Sequence, residues 1–352
     1  MKKNILIISP HPKLLGGVAN HYIGLNDFWS SSIKYEYCGK RENIPAFVTF
    51  FYDLIKYVLK LIFKRPDIVI INPSLRRYQI MRDGLYLILA KILRIDVITF
   101  IHGWDEEYVR KLIKKPSLFK FVYNKSAFIY VLSSSFKEQL LEVGITCPIL
   151  LTTTKVDDKL IKDFDIDQRT GKINNILFLA RIEREKGVLI TINAFIILKA
   201  KYDWLTLTIV GSGGFLNEAK EYVSKKNIND VSFTGPLYGM DVAKEFSKSE
   251  IYILPTTHGE GMPTSVLEAM VFGLPIITRP VGGLNDFFDT KEMGSLIEDL
   301  SPDSFARELE SFILSSEKTR KTALFNHNYS VNRFLASSVA NKIEEDIKDY
   351  LK

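Results

Sequence analysis

Short, continuous apolar runs alternate along this chain with longer stretches of helical pattern. Ile5–Ile8, Ile68–Ile71, Val97–Ile101, Ala127–Val131, Ile176–Leu179, Leu205–Val210, Val231–Phe233, Ile251–Leu254 and Pro275–Thr278 read as strands buried on both faces. Between them the intervals are long enough for helices, the signature of βαβ units and a parallel sheet. The pattern starts twice. The polar segment Thr152–Asn175, with Asp163, Asp165, Asp167 and Gly171, separates the two starts and reads as a linker. The expected fold class is α/β, with two Rossmann-like, doubly wound domains over 1–155 and 172–330. A helical, rather polar tail, 331–352, follows. Ligands of such sheets sit beyond the carboxyl ends of the strands, so the residues just after each strand carry the most weight.

The chain has 352 residues, 46% hydrophobic and 25% charged, which suits two packed domains and excludes a disordered chain. Two cysteines, Cys38 and Cys147, make no disulfide framework, and no Cys/His cluster has zinc spacing. A reducing compartment is expected. Asp163-Phe-Asp-Ile-Asp167 lacks the glycine of an EF-hand, since Gln168 stands there, so no metal site is expected. The net charge of +6 is unevenly spread: residues 1–155 hold 23 Lys and Arg against 12 Asp and Glu, the remainder 24 against 29. A basic first half suits an anionic partner, whether nucleic acid, anionic lipid or a phosphorylated substrate. No nucleic-acid motif accompanies the charge, and nucleic acid is set aside. Met1-Lys2-Lys3 begins like a signal peptide, but Ser9-Pro10 breaks the apolar run. The longest apolar stretches carry charges that bar a membrane span, so a soluble or peripheral protein is expected.

Gly16-Gly17 follows the first strand and precedes a helical stretch, where glycines either make a tight turn or let backbone approach a ligand. The G-x-G-x-x-G spacing of nicotinamide-binding domains is absent. His102-Gly103 directly follows Val97–Ile101, suiting substrate contact or a structural hydrogen bond. Arg181 and Lys186 sit at a strand-to-helix junction of the acidic half, where a fork and a point charge suit a diphosphate. Gly211-Ser-Gly-Gly214 ends another strand without the Gly-Lys-Ser/Thr of a P-loop. The most informative segment is His258-Gly-Glu-Gly-Met-Pro-Thr-Ser-Val-Leu-Glu-Ala-Met270, with Glu260 in a loop and Glu268 over one turn into a helix that starts near Pro263 and Thr264. Val266, Leu267, Ala269 and Met270 surround Glu268 with apolar positions, and a carboxylate there needs a partner.

Together with Phe233-Thr-Gly235, Gly273-Leu-Pro275 and Gly282-Gly283, these residues occur in an order that resembles the retaining GT-B glycosyltransferases of family four, over nearly the whole chain. The resemblance implies two Rossmann-like domains facing a cleft, the second holding a nucleotide-sugar donor, with the final helix crossing back to the first. It implies that Arg181 and Lys186 hold the donor diphosphate and that Glu268 takes the ribose hydroxyls. Glu260 and the N–H groups of Gly261, Met262 and Thr264 face the sugar and its phosphate, Pro263 having no N–H. Gly211 and Phe233, Thr234, Gly235 and Leu237 line the nucleotide pocket. His102 lies near the reacting sugar, and Gly16 and Gly17 near the diphosphate. No metal or other cofactor is implied. The segment from Pro255 to Glu260 is one residue longer than the common family form. Met-Pro-Thr-Ser resembles members of bacterial lipopolysaccharide, capsule or exopolysaccharide assembly. A nucleotide-sugar epimerase and a non-catalytic scaffold of the same fold are the alternatives.

Ala46 to Arg65 reads as a helix with one polar stripe, Asp53, Lys56, Lys60 and Lys64, and an apolar face wider than one core contact needs. Either the helix is buried with a solvated lysine stripe, or it dips into a membrane while the lysines meet anionic headgroups. Arg76, Arg77 and Arg82 either form a solvated basic turn or face an acceptor on undecaprenyl diphosphate or another glycan carrier. The expected location is cytoplasmic and peripheral, on the inner face of a bacterial plasma membrane.

Overall fold

The computed structural model describes residues 3–12, 16–39, 41, 44–259 and 261–352. They form two compact units. One comprises Met1–Lys155 with Val339–Lys352, the other Val156–Ser338.

The first unit is built on a parallel sheet of β1 (Asn4–Pro10), β2 (Ser32–Cys38), β3 (Ile68–Ile71), β4 (Asp96–Phe100), β5 (Phe128–Val131) and β6 (Ile149–Leu151), in the order β2-β1-β3-β4-β5-β6. Its helices are α1 (Gly17–Leu25), α2 (Ala46–Lys64), α3 (Arg77–Ile92), α4 (Glu106–Lys114), α5 (Ser117–Tyr123) and α6 (Ser134–Val143). The second unit is also parallel, with β7 (Asn175–Leu179), β8 (Thr206–Val210), β9 (Val231–Gly235), β10 (Ile251–Leu254), β11 (Ile276–Thr278) and β12 (Gly294–Leu296), ordered β12-β11-β10-β7-β8-β9. Its helices are α7 (Val188–Lys199), α8 (Leu216–Lys225), α9 (Met240–Lys248), α10 (Thr264–Val271), α11 (Pro302–Ile313) and α12 (Ser316–Phe334). Helix α13 (Ala336–Tyr350) carries the chain from the second unit into the first. Both sheets are doubly wound: the order reverses between β1 and β3 in one, and between β7 and β10 in the other. These are the points where loops splay apart and ligands bind.

The apolar runs predict the central strands, whose residues are almost wholly buried, and also β9, which is instead an edge strand with Val231 and Phe233 half-buried and Ser232 and Thr234 exposed. The pattern leaves out β2, β6 and β12. All three are edge strands. Two have only three residues, and β2 alternates polar and apolar positions with Lys34 and Glu36. The polar segment before β7 is not a free linker. Arg169 is buried, and its guanidinium donates to the carbonyls of Phe246, Ser249 and Phe272.

Helix α2 inverts the expected arrangement. Its polar stripe faces the protein: Asp53 is buried against the Gly39 N–H and Arg41. Lys56 and Lys60 close on Glu36, which is 2% exposed, at 3.0 and 2.5 Å. The outward face is apolar instead, with Phe47, Phe51, Ile55, Leu59 and Phe63 exposed. Lys64, in the last turn, is exposed, but Lys56 and Lys60 are engaged by Glu36, so the stripe is neither wholly solvated nor wholly free for headgroups. No helix among the described residues is long and apolar enough to cross a membrane.

The last helix buries Val339, Ala340, Ile343 and Ile347. Within the first unit, Glu344 accepts from the N–H groups of Ser30 and Ser31, and Asp346 accepts from the Tyr130 hydroxyl at 2.8 Å.

Candidate active site

At the switch point of the second sheet, two loops are joined. The loop after β7 runs through Arg181 into a 3-10 turn, Arg184–Lys186, closed by Gly187 at φ +80°. A Cβ on Gly187 would stand 2.3 Å from the Pro255 carbonyl, so only glycine lets this turn lie against the end of β10. The loop after β10 answers it. The Thr257 N–H donates to the Glu185 carbonyl at 2.7 Å, and His258 Nδ1 lies 3.0 Å from the Glu185 carboxylate. At the other end of that loop, the Gly283 N–H donates to the Gly261 carbonyl at 2.8 Å.

Lys186 is buried in this junction and Arg181 is exposed. Helix α10 starts at Thr264 with Pro263 before it, and Met262 and Pro263 are buried. Its entry is held by the Tyr252 hydroxyl, which donates either to the Leu179 carbonyl or to Ser265 Oγ, at 2.9 and 2.8 Å. Glu268 is half-buried, while Val266, Leu267, Ala269 and Met270 are fully buried. Glu260 lies outside the described residues.

The glycine loop after β8 has a packing explanation. Gly211 has φ +138°, and a Cβ there would stand 1.9 Å from the Ala180 carbonyl; one on Gly213 would stand 2.4 Å from the Ile182 carbonyl. The loop is pressed onto the segment after β7 by the Ile182 N–H to Ser212 carbonyl bond, and the Gly211 N–H reaches the Gly235 carbonyl. These contacts line up the end of β9, where Phe233 and Leu237 are half-buried, Thr234 is exposed and Gly235 takes φ +77°.

In the first unit, Gly16 and Gly17 behave differently. Gly16 is extended, and a Cβ on either would meet nothing within 4 Å among the described residues. Among the described residues, neither conformation nor packing explains them. His102 stacks on Phe100 at 3.7 Å, and its neighbour Gly103 admits the close approach of Ser74, whose Oγ would lie 2.5 Å from a Cβ.

Three residues that the sequence did not single out define the His102 environment. Asn72 Nδ2 donates to the Ile8 carbonyl at 2.8 Å, which fixes its amide. Asn72 Oδ1 then accepts from the Tyr22 hydroxyl at 2.8 Å and stands 3.0 Å from His102 Nε2. Because that oxygen only accepts, His102 carries its proton on Nε2 and keeps its lone pair on Nδ1. His21 packs edge-on to His102 at 5.2 Å, with neither ring nitrogen hydrogen-bonded among the described residues. Burial lowers the His21 pKa to about 3, with Lys155 adding to the effect. Burial and His21 likewise hold His102 well below the ordinary imidazole range. Both rings are neutral at pH 7. Of the three arginines near α3, Arg82 is engaged by both oxygens of the buried Asp83, at 2.9 Å each, and does not face an acceptor.

Residues 161–324 match the model of the glycosyl transferases group 1. The alpha-monoglucosyldiacylglycerol synthase of Streptococcus pneumoniae is 25% identical over 74% of this chain and 65% of its own length. The amylovoran biosynthesis glycosyltransferase AmsK of Erwinia amylovora is 23% identical over 64% of this chain and 56% of its own. The chain therefore spans less than two thirds of the length of these relatives. The crystal structure of Anabaena Alr3699/HepE with UDP and glucose matches with a TM-score of 0.71 at 15% identity, covering 98% of this chain and 99% of that one. A glycosyltransferase from Rickettsia africae matches at 0.74 and 16%, covering 100% and 99%. These likenesses identify the fold as GT-B.

Proposed function

We infer that this chain, whose residues 161–324 belong to the glycosyl transferases group 1, is a retaining, metal-independent glycosyltransferase. It moves a sugar from a nucleoside diphosphate donor to a glycan acceptor carried on a lipid, in bacterial surface polysaccharide assembly. The observation that carries this reading is the junction of the β7 and β10 loops at the switch point of the second sheet. There the buried Lys186, the exposed Arg181 and the start of α10 are held together through Glu185, Gly187 and Tyr252.

The chemistry follows from charge. Breaking the bond between the anomeric carbon and the diphosphate leaves negative charge on the departing phosphate. Arg181, Lys186 and the N–H groups of Gly261, Met262 and Thr264 stabilise that charge from fixed positions. The acceptor hydroxyl attacks the same face, and its proton passes to the leaving phosphate oxygen, so no carboxylate nucleophile is needed. Glu268 accepts from the ribose hydroxyls, and Phe233, Thr234, Gly235 and Leu237 border the base. His102, with its lone pair on Nδ1, accepts a hydroxyl of the transferred sugar. That no described residue would meet a Cβ at Gly16 or Gly17 supports close approach of backbone to a phosphate. UDP in the Anabaena structure supports a uridine donor. A relative named for monoglucosyldiacylglycerol supports a lipid-borne acceptor. The outward apolar face of α2 supports attachment to a membrane surface by insertion rather than through its lysines.

Calorimetric titration of UDP, GDP and ADP in EDTA tests the donor site. One nucleotide binds the wild type, and Glu268→Ala weakens it on the order of tenfold. A folded protein that binds none of the three overturns the reading. Release of free nucleotide only when acceptor is added separates transfer from epimerisation and from scaffolding.

A further inference from the structure

The first unit contains a cavity of about 890 Å³ between α3, α4 and α5, inside the size range of small-molecule sites. Its walls are almost wholly apolar, formed by Ile80, Leu85 and Ile88 of α3, Leu112 of α4, and Leu118 and Phe119 of α5. None of the donor-site residues lines it. An apolar hollow of this size, left open to water, is costly to a fold unless something fills it.

Three features define the occupant. The cavity is elongated along α3: Arg77 to Ile88 spans about 16 Å at 1.5 Å per residue. It is edged by cations, Arg77, Lys114 and Lys115, none of which has a carboxylate partner among the described residues. Its mouth is apolar, with Met81 and Leu118 exposed at 59% and 68%. In the same unit, α2 packs on α3 and turns Phe51 and Ile55 outward. Arg77 opens α3 just after the carboxyl end of β3, the same edge of the sheet on which His102 follows β4. A long hydrocarbon with an anionic head satisfies these features: the chain fills the hollow, and the head meets Arg77 at the carboxyl edge of the sheet.

We propose that this cavity holds the hydrocarbon chain of the lipid-borne acceptor, with its phosphate bound by Arg77. The proposal rests on the transferase reading for the word acceptor; the lipid phosphate site itself does not.

The probe is dodecyl phosphate, titrated below its micelle concentration into the full-length protein, with inorganic phosphate and the neutral dodecanol alongside. One dodecyl phosphate binds per chain, and inorganic phosphate does not compete. Leu85→Trp, which fills the hollow, and Leu118→Glu, which puts a charge at its exposed mouth, each weaken binding on the order of tenfold. Arg77→Ala weakens dodecyl phosphate by a similar factor and leaves dodecanol unchanged. Nucleotide titration on the same variants reports folding and donor-site integrity. Equal affinity of wild type and Leu85→Trp for dodecyl phosphate overturns the cavity assignment, and dodecanol binding as tightly overturns the anionic head. Dodecyl phosphate failing while a nucleotide binds rejects the cavity alone. The reverse result rejects the donor reading and leaves the lipid site standing.

Discussion

His258 Nδ1 lies 3.0 Å from the carboxylate of Glu185, and the same Glu185 accepts the Thr257 N–H through its backbone carbonyl. One residue of the β7 loop thus holds the β10 loop by two different groups. His258 lies in the segment that the family resemblance reads as one residue longer than the common form. Thr257 and His258 are thereby tied to the β7 loop.

Both side chains are well exposed, so the contact itself contributes below about 1 kcal/mol to stability. Its effect falls on the loop. Glu185→Ala and His258→Ala each lower nucleotide affinity severalfold in calorimetry while leaving the melting temperature nearly unchanged. The double variant is no weaker than either single one, because both remove the same contact. Full additivity would rule out the coupling.

Glu36 is the buried centre of an ion triad with Lys56 and Lys60. Lys60→Met leaves Glu36 with Lys56 alone and lowers stability by about 1–3 kcal/mol, read by urea denaturation, whereas Lys64→Glu, at the end of α2, is close to neutral. Equal effects of the two would contradict the inward-facing stripe.

His21 and His102 are held neutral. Their folded pKa values lie below the ordinary imidazole value, so in that window the unfolded chain binds protons that the folded chain does not. Stability therefore falls as pH drops below 6.5, with a limiting slope of about 1.4 kcal/mol per pH unit for each histidine. For His21 the loss continues toward pH 3. Urea midpoints measured from pH 7.5 to 5 fall for the wild type and fall less steeply for His21→Leu. Identical slopes would mean that His21 titrates normally.

Gly211 and Gly16 separate packing from ligand approach. Gly211→Ala forces a Cβ onto the Ala180 carbonyl at positive φ and costs about 2–4 kcal/mol. Gly16→Ala meets open space, keeps the wild-type melting temperature, and lowers transfer by a factor on the order of 10² if a phosphate comes as close as proposed. A Gly16→Ala enzyme of full activity would remove that glycine from the site.

The chain order of apolar runs was enough to read the interior strands, since a strand covered on both faces must be apolar throughout. The helical spacing of Asp53, Lys56 and Lys60 likewise put them on one face. Glycines and charges after strands marked where ligands bind, because doubly wound sheets open there. What spacing left open was which face turns inward. Glu36 decides that for α2, and it lies on an edge strand whose alternating pattern carries no strong signal. The edge strands β2, β6 and β12 were hidden for the same reason: they are short or half-solvated. Asn72, Tyr22 and His21 around His102, and Glu185 under His258, come from elements far apart in sequence. The proton position on His102, the burial of His21, the joining of the β7 and β10 loops and the hollow beside α3 exist only once the sheets have formed. Each depends on where a second element ends, and a linear pattern holds no such distance.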